Sequence, residues 1–218
     1  MGKIAVLHTT VATVGPLGNM LKEACPGVEI QNFMDDSILP MLREDMSTLP
    51  YAYEKLLSFA KYAEKQGVQL VFLACSSVGD FQQIADKELS IPFVRIDDAV
   101  TDKAVTMGEK IAVLATLPTT LGPSGDLIKR KGTENTVVTP VLVEGAFEAL
   151  SNGDRAEHDK RILEAVKKAL DTADIVYLAQ ASMAEAVKSL DEAQLARVLT
   201  STGPGVAAAA ALYKKLNS

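Results

Sequence analysis

The chain of 218 residues repeats part of its own sequence, and this repeat limits the folds that are open to it. Residues 3–17 recur at residues 110–124, with nine of the fifteen positions identical and a constant offset of 107. A second match, at nearly the same offset, joins residues 71–80 to residues 176–185. Self-similarity at a fixed spacing is the sequence signature of a repeated structural unit. We therefore expect two copies of one half-domain.

Short apolar runs alternate with helical patterns along both copies. This alternation is typical of βαβ units and a parallel sheet. Continuous apolar runs such as residues 70–74 and 111–115 suit strands that are covered on both faces of a sheet. The sequence predicts strands at residues 3–8, 27–33, 69–74, 92–96, 110–115, 136–142, 174–179 and 197–201. It predicts helices at residues 16–25, 50–66, 77–88, 98–107, 123–131, 155–171, 183–188 and 204–216.

These elements predict an α/β protein with two pseudo-symmetric lobes, each a mostly parallel sheet flanked by helices. The expected N-terminal lobe comprises residues 1–97 plus 204–218, and the expected C-terminal lobe comprises residues 98–203. Ligands of parallel α/β sheets bind beyond the carboxyl ends of the strands. The duplication therefore predicts a site in the cleft between the lobes, lined by strand ends from both copies.

Composition excludes several classes of function. The net charge of −6 argues against nucleic acid or an anionic membrane as a partner. The two cysteines form no C-x-x-C motif, which argues against a structural zinc site and a disulfide framework. A strand is predicted directly after the first residues, and no apolar run is long enough to span a bilayer. The expectation is a cytoplasmic protein without a bound metal.

Small hydroxyl-bearing residues follow the predicted strands at four places, each just before a predicted helix. One explanation is that they cap helices. Helix N-termini also offer unpaired N–H groups that bind anions, so four such clusters favour a pocket for a carboxylate. The candidate substrate-binding residues are Thr9, Thr10, Ser76 and Ser77 in the first copy and Thr116, Thr119, Thr120, Ala181 and Ser182 in the second.

Cys75 and His8 are the candidate catalytic residues of the first copy. A free cysteine is commonly a buried apolar residue. Cys75, however, follows an apolar strand at a predicted helix N-terminus, a position that lowers a thiol pKa, and we favour a reactive role. His8, at the end of the first strand, either polarises Cys75 or binds substrate, or it makes a structural hydrogen bond. His158 lies in a charged helix start, and we expect it to be solvated.

The duplicated α/β halves, residues 74–77 after the third strand and residues 114–120 together resemble the aspartate/glutamate/hydantoin racemase superfamily. The resemblance covers essentially the whole chain. It implies cofactor-independent proton transfer at a carbon beside a carboxylate, with one cysteine from each half on either side of the substrate. It also implies a small carboxylic acid as substrate, no cofactor, and a homo-oligomer as the expected assembly.

Carried onto this sequence, the resemblance implies that Cys75 is the first-half cysteine. It implies that the carboxylate is bound by Ser76, Ser77, Thr116, Thr119 and Thr120. The second-half cysteine falls on Gln180, which cannot exchange a proton near neutral pH. A single thiol still suffices for one-face isomerisation or for protonating an enediolate, and Gln180 could hydrogen-bond the substrate.

Three functions are therefore open at this point. The leading hypothesis is an isomerase or racemase-like enzyme that uses Cys75 as its acid and base, with His8 as one source of a second base. The alternative enzyme is a decarboxylase, another lyase or a maleate-isomerase-like enzyme that uses the same thiol. The third hypothesis, which the missing second cysteine supports, is a non-catalytic protein that binds a small carboxylate.

Overall fold

The computed structural model describes residues 2–218, which form two four-stranded sheets flanked by helices. The strands are β1 (Lys3–His8), β2 (Glu29–Met34), β3 (Leu70–Leu73), β4 (Phe93–Arg95), β5 (Lys110–Ala115), β6 (Val137–Leu142), β7 (Ile175–Leu178) and β8 (Val198–Thr200). The helices are α1 (Val14–Ala24), α2 (Ile38–Glu44), α3 (Leu49–Lys65), α4 (Gln82–Glu88), α5 (Asp98–Met107), α6 (Pro118–Lys131), α7 (Ala146–Ser151), α8 (Arg155–Leu170), α9 (Glu192–Leu195) and α10 (Thr202–Leu216).

The two sheets have the same topology. Their strand orders are β2-β1-β3-β4 and β6-β5-β7-β8, and every neighbouring pair is parallel. The predicted α/β class, with mostly parallel sheets flanked by helices, is therefore confirmed. Each sheet places two central strands, β1 and β3 or β5 and β7, side by side. The residues that follow those strands are consequently brought to one edge of their sheet.

The chain divides into two compact units. Unit one is the part of the chain up to Ile96 together with Thr202–Ser218, and unit two is Asp97–Ser201. The sequence predicts lobe boundaries at 97/98 and 203/204. That these lobes are separate domains remains a prediction. No helix among residues 2–218 is long and apolar enough to cross a membrane.

The sheet of unit one is buried on both faces because alternate residues of its strands point to opposite sides. Ala5 and Leu7 of β1 pack in a cluster with Leu56 of α3, whereas Ile4 and Val6 pack in a second cluster. That second cluster contains Leu17 and Leu21 of α1 and Val206 and Ala209 of α10. The continuous apolar pattern of β1 thus reflects helices on both sides.

Unit two is built in the same way. Ala112 and Leu114 of β5 pack in a cluster with residues of α8, and Ile111 and Val113 pack in a cluster with residues of α5 and α6. A sheet that is covered on both faces leaves only its strand ends open to a ligand. A ligand is therefore expected to bind at the carboxyl edge of a sheet.

Three local predictions differ from the structure. The segment predicted as one helix over 77–88 is a 3-10 helix, Ser76–Phe81, followed by α4. The segment predicted as a helix over 183–188 is also a 3-10 helix, Ala181–Val187. Helix α6 begins at Pro118 rather than at residue 123, because proline is well suited to the first turn of a helix. The short helices α2, α7 and α9 were not predicted as helices.

Candidate active site

Cys75 lies at the carboxyl edge of the sheet of unit one. It follows β3 directly after Ala74 and occupies the N-cap position of the 3-10 helix Ser76–Phe81. Its neighbour across the edge is the end of β1, where Thr9 follows His8. Cys75 is 9% exposed and Thr9 is 2% exposed, so both side chains are almost fully enclosed. Ser76 and Ser77 are also buried at this edge.

Four donor groups lower the pKa of the Cys75 thiol, although its side chain accepts no capping hydrogen bond at the N-cap position. They are the hydroxyl groups of Thr9 and Ser77 and the backbone N–H groups of Ser77 and Val78. The buried Thr9 hydroxyl makes no hydrogen bond within residues 2–218, although it lies near enough to favour the charged form of the thiol. Donors aimed at a sulfur atom stabilise the thiolate relative to the thiol. The site can therefore hold a negative charge on sulfur or on a substrate oxygen that comes close to it.

Burial nevertheless dominates the ionisation of Cys75. Desolvation raises the pKa of the Cys75 thiol above its ordinary value, and the four donors offset this only in part. The expectation of a lowered pKa at this position is therefore wrong. A six-residue 3-10 helix supplies N–H groups but little dipole, whereas removal from water penalises the charged form directly. At neutral pH the group is a neutral thiol that holds its proton.

His8 makes hydrogen bonds through both ring nitrogens. Its Nδ1 lies 2.7 Å from the Thr13 hydroxyl, and its Nε2 lies 3.0 Å from Oδ1 of Asn32. The ring is fully buried, and this burial lowers the pKa of His8 below 6.5, although the Asn32 contact opposes the shift. These contacts correspond to the structural hydrogen bond that was one of the two predicted roles of His8.

The stability of the protein should depend on pH through His8. Because the folded-state pKa is below the value of 6.5 in the unfolded chain, the contribution is fully present above pH 6.5 and is lost as the pH falls through the folded pKa. We expect the free energy of unfolding to decrease below pH 6.5. We also expect His8→Gln to flatten that decrease, which urea unfolding at several pH values would measure. An equal slope in the two proteins would contradict this assignment.

Thr10 has a local role in the chain turn after β1. Its hydroxyl accepts a hydrogen bond from the backbone N–H of Ala12 at 3.4 Å and caps the short 3-10 helix Val11–Thr13. Its carbonyl accepts a hydrogen bond from the Thr13 hydroxyl at 3.1 Å. Thr10 therefore shows the capping function that was the alternative explanation for the hydroxyl residues at the strand ends.

In unit two, Gln180 occupies the position that matches Cys75. It is the N-cap residue of the 3-10 helix Ala181–Val187, which follows β7. Its Oε1 accepts two hydrogen bonds from Thr116, one from the backbone N–H at 2.5 Å and one from the hydroxyl at 2.9 Å. A backbone N–H can only donate, so the atom that it contacts must be the amide oxygen. The orientation of the Gln180 amide is therefore fixed, and its NH₂ group is directed away from Thr116.

This arrangement changes the predicted role of Thr116. Both of its donors are committed to Gln180, so they are not available for a carboxylate. The Nε2 hydrogens of Gln180 instead provide the donors at this position. Thr119 and Thr120 lie buried in the first turn of α6, Ser182 is half-buried, and Ala181 is exposed. The predicted residues of the second copy thus share the carboxyl edge of the sheet of unit two.

Two further polar residues belong to this edge and were missed. Ser124 is fully buried in α6, and its hydroxyl has no partner among residues 2–218. It follows Thr120 by four residues, a spacing that puts both on one face of a helix. The missed signal was Pro118, which marks the true start of that helix. Arg155 of α8 donates from Nη2 to the carbonyl of Ser182 at 3.1 Å and thereby anchors the 3-10 helix after β7.

His158 is fully buried, so the expectation that it is solvated is wrong. The buried face of α8 includes His158, Ile162 and Val166, which recur every four residues as a helical stripe does. The charged neighbours in the sequence lie on the other faces of the helix. The Nδ1 of His158 lies 2.7 Å from Oδ1 of Asp159, which satisfies one of its two ring nitrogens.

Two parallel sheets of the same topology, each ending in small polar residues at the central strands, define a class of small-molecule-binding α/β proteins. The amino-acid sequence places the protein more narrowly within that class. Residues 4–210 match the family model described as Asp/Glu/Hydantoin racemase. The chain therefore belongs to the Asp/Glu/hydantoin racemase family, and the predicted family and the predicted class of racemase-family isomerase are confirmed.

Solved structures show the same fold. The chain is 19% identical to allantoin racemase from Klebsiella pneumoniae, covering 100% of this chain and 88% of that one with a TM-score of 0.71. It is 18% identical to glutamate racemase from Francisella tularensis in complex with D-glutamate, covering 99% and 81% with a TM-score of 0.75. A glycine-to-cysteine mutant of arylmalonate decarboxylase is 16% identical, with 97% and 93% covered and a TM-score of 0.66. No curated protein sequence matches the chain significantly.

Proposed function

We propose that the protein is an isomerase-type enzyme that moves a proton at the carbon next to the carboxylate of a small acid, with Cys75 as the group that exchanges the proton. The observation that carries this proposal is the enclosed Cys75 thiol with its four donors. Membership of the racemase family supports the reaction class. The chemistry that we propose for Cys75 needs no cofactor.

The donors around Cys75 suit the chemical step that such a reaction requires. Cys75 must first lose its proton to water. Its thiolate then removes the proton from the α-carbon, and the electrons of the broken C–H bond move into the carboxylate and form an enediolate. The thiol formed in this way returns a proton to the carbon and is again a thiolate. Fixed N–H and O–H donors stabilise this developing charge, which is usually the largest catalytic contribution. The backbone N–H groups of Ser77 and Val78 are already in place, so little reorganisation is needed.

Gln180 is proposed to act as a hydrogen-bond donor to a small acid at the carboxyl edge of the sheet of unit two. Its amide oxygen is held by Thr116, so its NH₂ group can donate to a carboxylate or carbonyl oxygen. An amide cannot deliver or remove a proton near neutral pH. Gln180 is therefore proposed as a hydrogen-bond donor and not as a group that transfers a proton.

Decarboxylation is the second candidate, and two observations favour it. Cys75 holds its proton at neutral pH because burial raises the pKa of its thiol, which suits a proton donor better than a base. Gln180 also removes the second thiol that two-face racemisation requires. In this reaction the bond between the α-carbon and one carboxylate breaks, carbon dioxide leaves, and the electron pair forms an enediolate on the remaining carboxylate. The Cys75 thiol then gives its proton to the carbon, and water restores the proton on sulfur.

One experiment separates these functions. We expect the protein, incubated in deuterium oxide with 2-amino acids, 2-hydroxy acids and malonate-type diacids in turn, to incorporate deuterium at the α-carbon of one substrate class. Nuclear magnetic resonance would detect the deuterium, and trapping of carbon dioxide would distinguish decarboxylation from isomerisation. The Cys75→Ser variant is the control. Protection of Cys75 from alkylation by an acid that exchanges no proton would instead support a carboxylate-binding protein and contradict both enzyme proposals.

A further inference from the structure

Arg95 is a charged side chain that is buried within an apolar region of unit one. It is the last residue of β4, pairs with Leu73 of β3, and is only 1% exposed. Residues two apart on a strand point to the same face of the sheet, so Arg95 shares the face of Phe93. Phe93 packs in the cluster that also contains Leu73 and Cys75. A buried charge is costly unless it is well paired, so the choice of arginine here requires an explanation.

A carboxylate pairs with this buried charge. The Nη1 atom of Arg95 lies 3.5 Å from Oδ1 of Asp80, a residue of the 3-10 helix Ser76–Phe81. Tyr53 lies close enough to be influenced by both charges: burial and Asp80 raise its pKa, and Arg95 opposes this. The guanidinium group is therefore held in an enclosed space between α3 and the 3-10 helix Ser76–Phe81.

The guanidinium group lies against the backbone at Gly79. A Cβ atom added at Gly79 would lie 2.2 Å from Nη2 and 2.4 Å from Cζ of Arg95, far inside van der Waals contact. No side chain fits at residue 79 while Arg95 keeps its place. The flat group thus rests directly on the backbone of the 3-10 helix, one residue beyond Val78.

The same 3-10 helix carries the groups that act on Cys75. The N–H groups of Ser77 and Val78 lie near enough to the thiol to favour its charged form, and Gly79 follows them immediately in the chain. Val78 interrupts the helical backbone with φ −112° and ψ 21°, so the segment is not one regular helical turn. External support at Gly79 would hold the two N–H groups in their positions.

We propose that Arg95 is a positioning residue for Cys75, because its guanidinium group supports the Gly79 backbone and thereby keeps the Ser77 and Val78 N–H groups directed at the sulfur. This inference rests on the proposed function of Cys75 as the reacting thiol. It assigns Gly79 a role as well, since only glycine lets the guanidinium group approach so closely.

The test is the rate of Cys75 alkylation by iodoacetamide as a function of pH, followed by peptide mass spectrometry. Gly79→Ala and Arg95→Met should each slow the reaction about tenfold near the wild-type midpoint, because a lost donor to a thiolate favours the neutral thiol. The double variant should be no slower than either single variant, since both changes remove the same contact. Arg95→Lys keeps the charge but loses the flat group, and its rate should lie between those of wild type and Arg95→Met.

Matched variants control for general damage. A Cβ atom at Gly18 of α1 meets no atom within 4 Å, so Gly18→Ala should leave the alkylation profile unchanged. Circular dichroism would establish that each variant is folded, and if Arg95→Met does not fold, Gly79→Ala and Arg95→Lys carry the test. An unchanged midpoint in these folded variants overturns the inference, even if turnover falls. A shifted midpoint in a protein that turns over no acid supports the positioning role while refuting the proposed enzyme.

Discussion

Replacing Cys75 by serine should reduce kcat/KM by about 10³-fold, the range that a positioned acid or base contributes. A hydroxyl group can accept the hydrogen bonds that the Ser77 and Val78 N–H groups direct at the sulfur. It cannot exchange a proton with carbon near neutral pH, because its pKa is far above that of a thiol. The fold should persist, with the free energy of unfolding within about 1 kcal/mol of wild type. Steady-state kinetics on the substrate class identified by deuterium incorporation, together with urea unfolding, would measure both quantities.

Cys25 provides the matched control for this substitution. It is 2% exposed and packs in the cluster that contains residues of α1 and α10, with its Sγ 3.8 Å from the carbonyl of Ala210. Cys25→Ala should cost about 1 kcal/mol of stability and leave kcat/KM unchanged. Comparable losses of activity in the two cysteine variants would mean that thiol replacement acts through the fold. Retention of full activity in Cys75→Ser would refute the assignment of Cys75.

Replacing Gln180 by glutamate should reduce kcat/KM by about 10²-fold, comparable to the loss of one donor that stabilises an oxyanion. One carboxylate oxygen can accept both hydrogen bonds from Thr116, so the fold should be preserved. The other oxygen then places a negative charge where the wild-type protein offers an NH₂ group. A substrate carboxylate is repelled instead of bound. Activity should recover in part as the pH falls toward the ordinary glutamate pKa of about 4.3, because the protonated group can donate again.

Two variants distinguish repulsion of the substrate at residue 180 from a general effect of added charge and from damage to the fold. Gln83→Glu introduces the same charge on an exposed position of α4 and should leave activity unchanged. Gln180→Met removes the acceptor for the Thr116 N–H, which leaves the donor of a buried residue without its partner and should cost about 1–3 kcal/mol in stability. If Gln180→Glu is as active as wild type at neutral pH, Gln180 is not a donor to an anionic substrate.

The strands could be predicted almost to the residue because their signal is local. Both β1 and β5 have the predicted bounds, since a continuous apolar run between polar residues suffices to define a buried strand. Because the sequence is duplicated, the pattern of each strand in one copy supports the strand predicted at the matching place in the other copy. Helix starts were less certain: the beginning of α6 was placed five residues too late because Thr119 and Thr120 were interpreted as loop residues. Short 3-10 helices have no clear period and were interpreted as α-helices.

The candidate residues were found because strand ends in a parallel sheet are recognisable in a sequence, but their properties were not predictable. The pKa of Cys75 is raised because segments far apart in the chain exclude water from the thiol, and a local pattern contains no measure of that exclusion. His158 was misjudged for a related reason. Its charged neighbours in the sequence suggested solvent, whereas the four-residue spacing to Ile162 put it on the buried face of α8.

The sequence by itself determined the α/β class, the duplication and the family. These follow from residue types, from their order and from periods of a few residues. Only the tertiary structure decided what the residues at the strand ends can do. Gln180 is oriented by Thr116, which is 64 residues away in the chain. Arg95 rests on Gly79 across the space between a strand and a 3-10 helix. Such contacts depend on distances of a few tenths of an ångström between distant segments, and those distances exist only once the chain is packed.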